Sequence, residues 1–191
     1  MLKTAEKQEI RKHLKALRSQ LTAEQVAHSS ELAAQQILAC DAYKNAKLIM
    51  GYLAFGKEIS VDRVLLKALA DGKKVVVPLI ISQTEMEAAV LRNMEELCFD
   101  RYGIRCVSEP AELIAPEEIE LILVPGVAFG RDGSRMGMGA GYYDRFLQRA
   151  NKAITIGVAY EALLQDSLPA DEYDVPVQYI AYEAGINKLH A

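Results

Sequence analysis

Cysteine and histidine are scarce in this chain, and neither falls into a pattern. Cys40, Cys98 and Cys106 form no C-x-x-C pair, so they read as free thiols in a reducing compartment, not as a disulfide framework or a zinc site. His13, His28 and His190 are scattered and make no metal-ligand spacing. No apolar run approaches the ~20 residues of a membrane span. The opening Met1-Leu2-Lys3-Thr4-Ala5-Glu6-Lys7 has no apolar signal core, so a cytoplasmic protein without membrane contacts is expected. An excess of positive charge is lacking too. The net charge is −4, which argues against nucleic acid as a partner. No convincing Ser/His/Asp or Cys/His set for nucleophilic catalysis is present.

What is there is enough for one domain with a full core: 191 residues, 51% apolar and 25% charged. No repeat, low-complexity segment or linker divides it. Ile10, Leu14, Leu17 and Leu21 recur at helical spacing and predict an amphipathic helix over 4–20. Its other side carries Lys3, Lys7, Arg11 and Lys15, each four apart. Such like charges repel, so the stripe is a solvated face or a phosphate site. Thr22-Ala23-Glu24-Gln25 is a capping-box start for a second helix to Ala39. A strand over 47–53, a helix capped by Ser60 and stopped at Gly72, and a strand over 73–79 form a strand–helix–strand unit, the pattern of a parallel sheet. Further strands are read at 86–91, 121–125, 154–159 and 177–182, with a helical turn at 93–97 and an acidic, proline-flanked loop over 168–176. The expected fold class is α/β: a single three-layer domain, 1–191, with a mainly parallel sheet and helices on both faces.

The densest motif runs from Gly130 to Arg145, G-R-D-G-S-R-M-G-M-G-A-G-Y-Y-D-R, between a buried strand and the opening of a helix at Tyr142. Gly137, Gly139 and Gly141 leave the main chain open to a ligand. Free N–H groups at a helix start favour an anion. The block is not a P-loop, because no Lys-Ser or Lys-Thr closes it. Its G-x-G-x-G also lacks the partner carboxylate of a dinucleotide site. Arg135 offers forked donors to phosphate. Asp144 is either a dipole partner of its helix or, beside bound phosphates, a magnesium ligand with Asp174 as its second carboxylate. Glu58, after the first strand, is an acceptor for N–H groups of a heterocycle or half of a surface pair with Lys57. Leu53 and Phe55 offer an apolar wall. Phe129, Tyr142 and Tyr143 are core residues or stacking partners for a flat ligand.

Several stretches together resemble the 5-formyltetrahydrofolate cyclo-ligase family over nearly the whole chain. They are Lys7-x-x-x-Arg11; Tyr52-Leu53 through Glu58; Tyr102-Gly103-Ile104 before Glu109-Pro110; and Val124-Pro125-Gly126-Val127-Ala128-Phe129 with Gly133 through Arg145. Asp174 fits the C-terminal loop. The resemblance implies an ATP-dependent, magnesium-requiring enzyme that closes 5-formyltetrahydrofolate to 5,10-methenyltetrahydrofolate and releases ADP and phosphate. Its small-molecule partners would be ATP and the folate, and a monomer is expected. By the same resemblance ATP is held by Lys7, Gln8, Glu9, Ile10 and Arg11 and by Arg135, Met136, Gly137, Met138, Gly139, Ala140, Gly141, Tyr142 and Tyr143. Lys7, Arg11 and Arg135 act on the transferred phosphate. Leu53, Glu58 and Met138 through Tyr142 face the folate, and Asp144 and Asp174 hold magnesium. The chain departs from the usual loop at Met138, where an arginine or another larger polar or aromatic residue is common, and at Ala140, where glycine or lysine is common. Against this enzyme stand a binding-only regulator of the same fold and an RNA-binding module using the basic stripe, the latter disfavoured by the net charge.

Overall fold

The structure, a computed structural model, describes residues 2–101 and 103–189. Met1, Tyr102 and His190, and the side chain of Lys3, lie outside the described residues. An eight-stranded sheet forms the centre. Its strands are β1 (Leu48–Met50), β2 (Lys74–Ile80), β3 (Met86–Leu91), β6 (Leu113–Ile114), β7 (Leu121–Val124), β10 (Ile154–Val158), β11 (Tyr179–Tyr182) and β12 (Gly185–Lys188). Two small hairpins stand outside it: β4 (Cys98–Phe99) with β5 (Arg105–Cys106), and β8 (Ala128–Phe129) with β9 (Arg135–Met136). The sheet order is β12-β11-β10-β7-β1-β2-β3-β6. The middle five strands run parallel, and β12, β3 and β6 add antiparallel edges.

Among the described residues five α-helices accompany the sheet: α1 (Leu2–Gln20), α2 (Ala23–Ala39), α3 (Asp41–Asn45), α4 (Asp62–Ala70) and α5 (Tyr142–Arg149). The central strands are buried on both faces, which is why β7 reads as an unbroken apolar run, Leu121-Ile122-Leu123-Val124. Ile49, Leu121, Leu123 and Ile156 meet Ala33, Ile37, Val64 and Leu65 of α2 and α4. Met50, Ile122 and Val124 meet Phe146 and Leu147 of α5 on the opposite face. This is the expected three-layer α/β arrangement. No described helix is long and apolar enough to cross a membrane.

The capping box of α2 is present: Gln25 N–H donates to Thr22 Oγ1 at 3.1 Å, and Thr22 N–H to Gln25 Oε1 at 2.7 Å. Ser60 is not the N-cap of α4; Val61 is, while Ser60 Oγ still accepts the Asp62 N–H at 3.1 Å. The strands predicted at 47–53 and 177–182 are shorter, Leu48–Met50 and Tyr179–Tyr182. The amphipathic face of α1 is shifted. Leu14 is buried, but Leu17 is 37% exposed and Arg18 lies inward at 9%. The reason is the surface beneath: α1 packs Ile10 and Leu14 on Val127, Ala128, Met136 and Leu168, and its last turns cross a polar cleft.

Candidate active site

From β1 the chain passes through α4 to β2 on one side, while β7 joins β1 on the other. The sheet therefore has its switch point between β1 and β7, and ligands of open α/β sheets sit beyond the carboxyl ends of strands at such a point. A narrow cleft lies there, lined by Tyr52 and Glu58 after β1, Pro125 and Gly126 after β7, Tyr160 after β10, and Arg18 from α1. The close approach of these segments requires glycine. A Cβ on Gly126 would come within 2.7 Å of the Phe129 ring, and one on Gly157 within 2.5 Å. Phe129 is thus a core residue that shapes the floor, and it is too buried, at 1%, to stack on a ligand.

Glu58 is set by a tight turn. Gly56 takes φ +62°, Glu58 N–H donates to Phe55 O at 3.3 Å, and Phe55 N–H donates to Glu58 Oε2 at 3.1 Å. Glu58 is no surface partner of Lys57, whose ammonium turns away to the carbonyls of Ser19 and Leu21. It faces Arg18 instead, with Nη1 3.9 Å from Oε1, and both side chains are largely buried. Burial pushes the Glu58 carboxyl above its ordinary range, against the pull of the Phe55 N–H, Arg18 and Lys15. Three tyrosines surround it. Tyr52 Oη donates to Ile59 O at 2.7 Å and Tyr160 Oη to Lys57 O at 2.9 Å. Tyr143 Oη is buried without a hydrogen-bond partner among the described residues. Burial and the Glu58 charge raise the Tyr143 hydroxyl, with Arg135 opposing, so it stays a donor. Burial likewise carries Tyr160 to about 12. Leu53 is buried, whereas Phe55 is exposed.

The glycine block is two pieces. Its first half is the β8–β9 hairpin, and only Gly137 to Gly141 is a loop leading into α5. Gly139 and Gly141 have φ of +109° and +69°, while no described residue other than glycine has positive φ. Ala140 therefore sits in the loop without backbone strain. Arg11 Nε donates to Gly137 O at 2.8 Å, which ties α1 to the loop. Met138, Gly139 and Ala140 are exposed along it. Arg135 is buried below: Nη2 meets Asp144 Oδ1 at 2.6 Å, Nη1 reaches Pro125 O at 3.4 Å, and its guanidinium lies 5.8 Å from the Tyr143 ring centroid. Its Nε is buried without a partner among the described residues.

Lys7 reaches the acidic loop, at 2.8 Å from Asp171 Oδ2 and in a short contact with Asp174 Oδ2. Burial draws the Lys7 ammonium down, but the two carboxylates outweigh it and hold it above its ordinary value. Val175 N–H donates to Asp144 Oδ1 at 3.3 Å, so the segment carrying Asp174 is stitched to Asp144. Lys7, Arg11, Arg135, Asp144 and Asp174 are thus brought together, with Glu58 at the β1–β7 end and Tyr143 bridging the two halves. Gln8 and Glu9 are exposed, Ile10 belongs to the packing face of α1, and Met136 is core. Tyr142 Oη donates to Ser82 O at 3.0 Å. Arg18 has no counterpart among the residues singled out by sequence, and Asp171 was read only as part of the acidic 168–176 loop. Arg18 falls in line with Lys7 and Arg11 two turns further along α1, a signal that the apolar period of the helix masked.

Among the described residues no group of three or more His, Cys, Asp or Glu side chains gathers. That excludes, for those residues, an all-protein metal cage. Asp144 and Asp174 are the carboxylates that could hold magnesium, which needs only one or two when phosphates and water complete its shell.

A family model described as the 5-formyltetrahydrofolate cyclo-ligase family matches residues 3–183. A 5-formyltetrahydrofolate cyclo-ligase of Haemophilus influenzae is 30% identical over 181 residues, covering 92% of this chain and 97% of that one. The mouse protein of the same name is 29% identical over 189 residues, covering 93% of each. The solved 5,10-methenyltetrahydrofolate synthetase of Aquifex aeolicus superposes with a TM-score of 0.85 at 30% identity, covering 100% of this chain and 94% of that one.

Proposed function

We propose how the site works from one premise: the chain belongs to the 5-formyltetrahydrofolate cyclo-ligase family. It is an enzyme that converts 5-formyltetrahydrofolate to 5,10-methenyltetrahydrofolate, using ATP and magnesium and releasing ADP and phosphate. The observation that carries this reading is the division of the site into two halves. One half, at the end of β1, presents an acceptor, Glu58, and beside it Tyr143 Oη, a donor with no partner among the described residues. This suits a pterin, whose edge carries both N–H groups and a carbonyl. The other half gathers Lys7, Arg11 and Arg135 around open loop backbone, which suits a polyphosphate.

The ionic groups of the second half are partnered with one another. Lys7 holds Asp174, and Arg135 holds Asp144. Phosphate oxygens would take over the two cations, and the two carboxylates released would be the ligands of magnesium. The metal, when bound, supplies neutralisation of phosphate charge. The residues do the rest by position. A formamide is a poor electrophile, and transfer of the terminal phosphoryl group to the formyl oxygen turns that oxygen into a leaving group. N10 then attacks the formyl carbon, the ring closes and phosphate departs. Tyr143 sits between the halves, beside Arg135 and Glu58, where it would orient the formyl group toward the phosphate. No protein nucleophile is required. Leu53 walls the folate half, and Met138 to Tyr142 rim it.

The test is turnover. Purified protein with ATP, magnesium and 5-formyltetrahydrofolate is expected to build the methenyl chromophore and ADP in equal amounts. ADP release indifferent to folate would overturn the proposal.

A further inference from the structure

Cys98 and Cys106 belong to none of the machinery above, yet they are direct partners across the β4–β5 hairpin. Their sulfurs lie 3.2 Å apart. Residues opposite in an antiparallel pair have Cα atoms about 4.5–5.5 Å apart, inside the about 4.4–6.8 Å that a disulfide spans. The hairpin is held ready. Asp100 N–H donates to Ile104 O at 2.9 Å and Asp100 Oδ1 accepts the Ile104 N–H at 2.8 Å. Gly103 turns with φ +74°. Beside Cys106, the Arg105 guanidinium grips both carboxylate oxygens of Asp62 at 2.6 and 3.0 Å, anchoring the hairpin to α4. Both thiols are half-buried, so a small reagent reaches them. Cys40, the third thiol, caps α3 through the Tyr43 N–H.

We propose that Cys98 and Cys106 form a reversible oxidation site that closes to an intramolecular disulfide on exchange with a low-molecular-weight disulfide of the glutathione class. The thiolate of Cys98 attacks one sulfur of the reagent, forms a mixed disulfide and expels a glutathione thiolate. The Cys106 sulfur then attacks Sγ of Cys98, and the second glutathione thiolate leaves. The two protein thiol protons pass to the two expelled thiolates. Two protein thiols are oxidised and one reagent disulfide is reduced. Burial and the neighbouring Cys98 sulfur push the Cys106 thiol up to about 11, which assigns it the second, intramolecular step, where proximity compensates for a small thiolate fraction. An adduct or sulfenic acid on either sulfur is captured by its neighbour before further oxidation.

Full-length protein is treated with oxidised glutathione under native conditions and its thiols are then alkylated. One alkylatable thiol, Cys40, is expected to remain, with a mass loss of two hydrogens, a disulfide joining the peptides of Cys98 and Cys106, and all three thiols restored by dithiothreitol. Cys106→Ser is expected to keep a stable glutathione adduct on Cys98, Cys98→Ser to gain one on Cys106 far more slowly, and Cys40→Ser to form the disulfide as the parent does. Three alkylatable thiols after treatment, a lasting adduct on the parent protein, or a disulfide between two chains would each overturn the proposal. The parent readout decides the matter even where a serine variant fails to fold.

Discussion

Arg18 is the residue on which the proposed folate half would depend. It donates to Gly126 O at 3.2 Å and lies against Glu58, so it couples α1 to the ends of both β7 and β1. Its removal leaves the buried Glu58 charge without its nearest cation, which favours protonation. The KM for folate should rise on the acid side, because protonation turns one Glu58 oxygen from an acceptor into a donor and removes the charge, and its folded pKa is already raised. Arg18→Met should move that acid limb to higher pH, and Glu58→Gln should abolish it. A limb that stays in place in Arg18→Met would reject the coupling. At the phosphate end, Lys7→Ala should lower turnover more than tenfold, about 1.4 kcal/mol of barrier, with the unfolding midpoint measured alongside. A near-parental rate in a folded variant would remove Lys7 from the reaction. Lys7, Arg11 and Arg135 were legible as candidates because they sit in a helical basic stripe and a glycine-rich block, Glu58 because it follows a strand, and Asp174 only through its fit to the family's C-terminal loop. Arg18 was not, because a helix face was assigned by apolar period. A helix lying over a polar cleft buries an arginine where the period places a leucine.

At the level of elements, α1 acts as a clamp. It brings Arg11 to the loop leading into α5 and Lys7 to the acidic loop of Asp171 and Asp174, both more than a hundred residues away in the chain, and it is seated by a small apolar cluster around Leu14. Leu14→Ala should cost about 2–4 kcal/mol of stability or of α1 docking and raise the KM for ATP more than that for folate. Equal changes in the two would contradict a clamp. The floor beneath depends on β10 lying close to the β8–β9 hairpin. Gly157→Ala would drive a methyl into the Phe129 ring, an overpacking cost of about 1–3 kcal/mol that Phe129→Leu should partly relieve in a double-mutant cycle. Additive effects would show that the two do not meet. Long apolar strands such as β7 and the strand–helix–strand unit over β1, α4 and β2 could be read directly. The hairpins could not, because two-residue strands carry no period, and β12 is half polar because it is an edge.

For the whole molecule, the architecture accounts for how one loop would serve two substrates in the proposed reaction. The switch point between β1 and β7 would fix the folate end, α5 and the glycine loop the phosphate end, and α1 reaches both. The three-layer fold followed from alternating strand and helix patterns. The convergence of the C-terminal acidic loop on α1 did not, since nothing local in Asp171 to Asp174 points to Lys7. In the proposed chemistry the formyl oxygen itself accepts the phosphoryl group. A heavy-oxygen label in the formyl group of the substrate, followed by mass analysis of the released phosphate, tests this step. One labelled oxygen in phosphate is expected for each methenyl product formed; label recovered in water, with unlabelled phosphate, would overturn it.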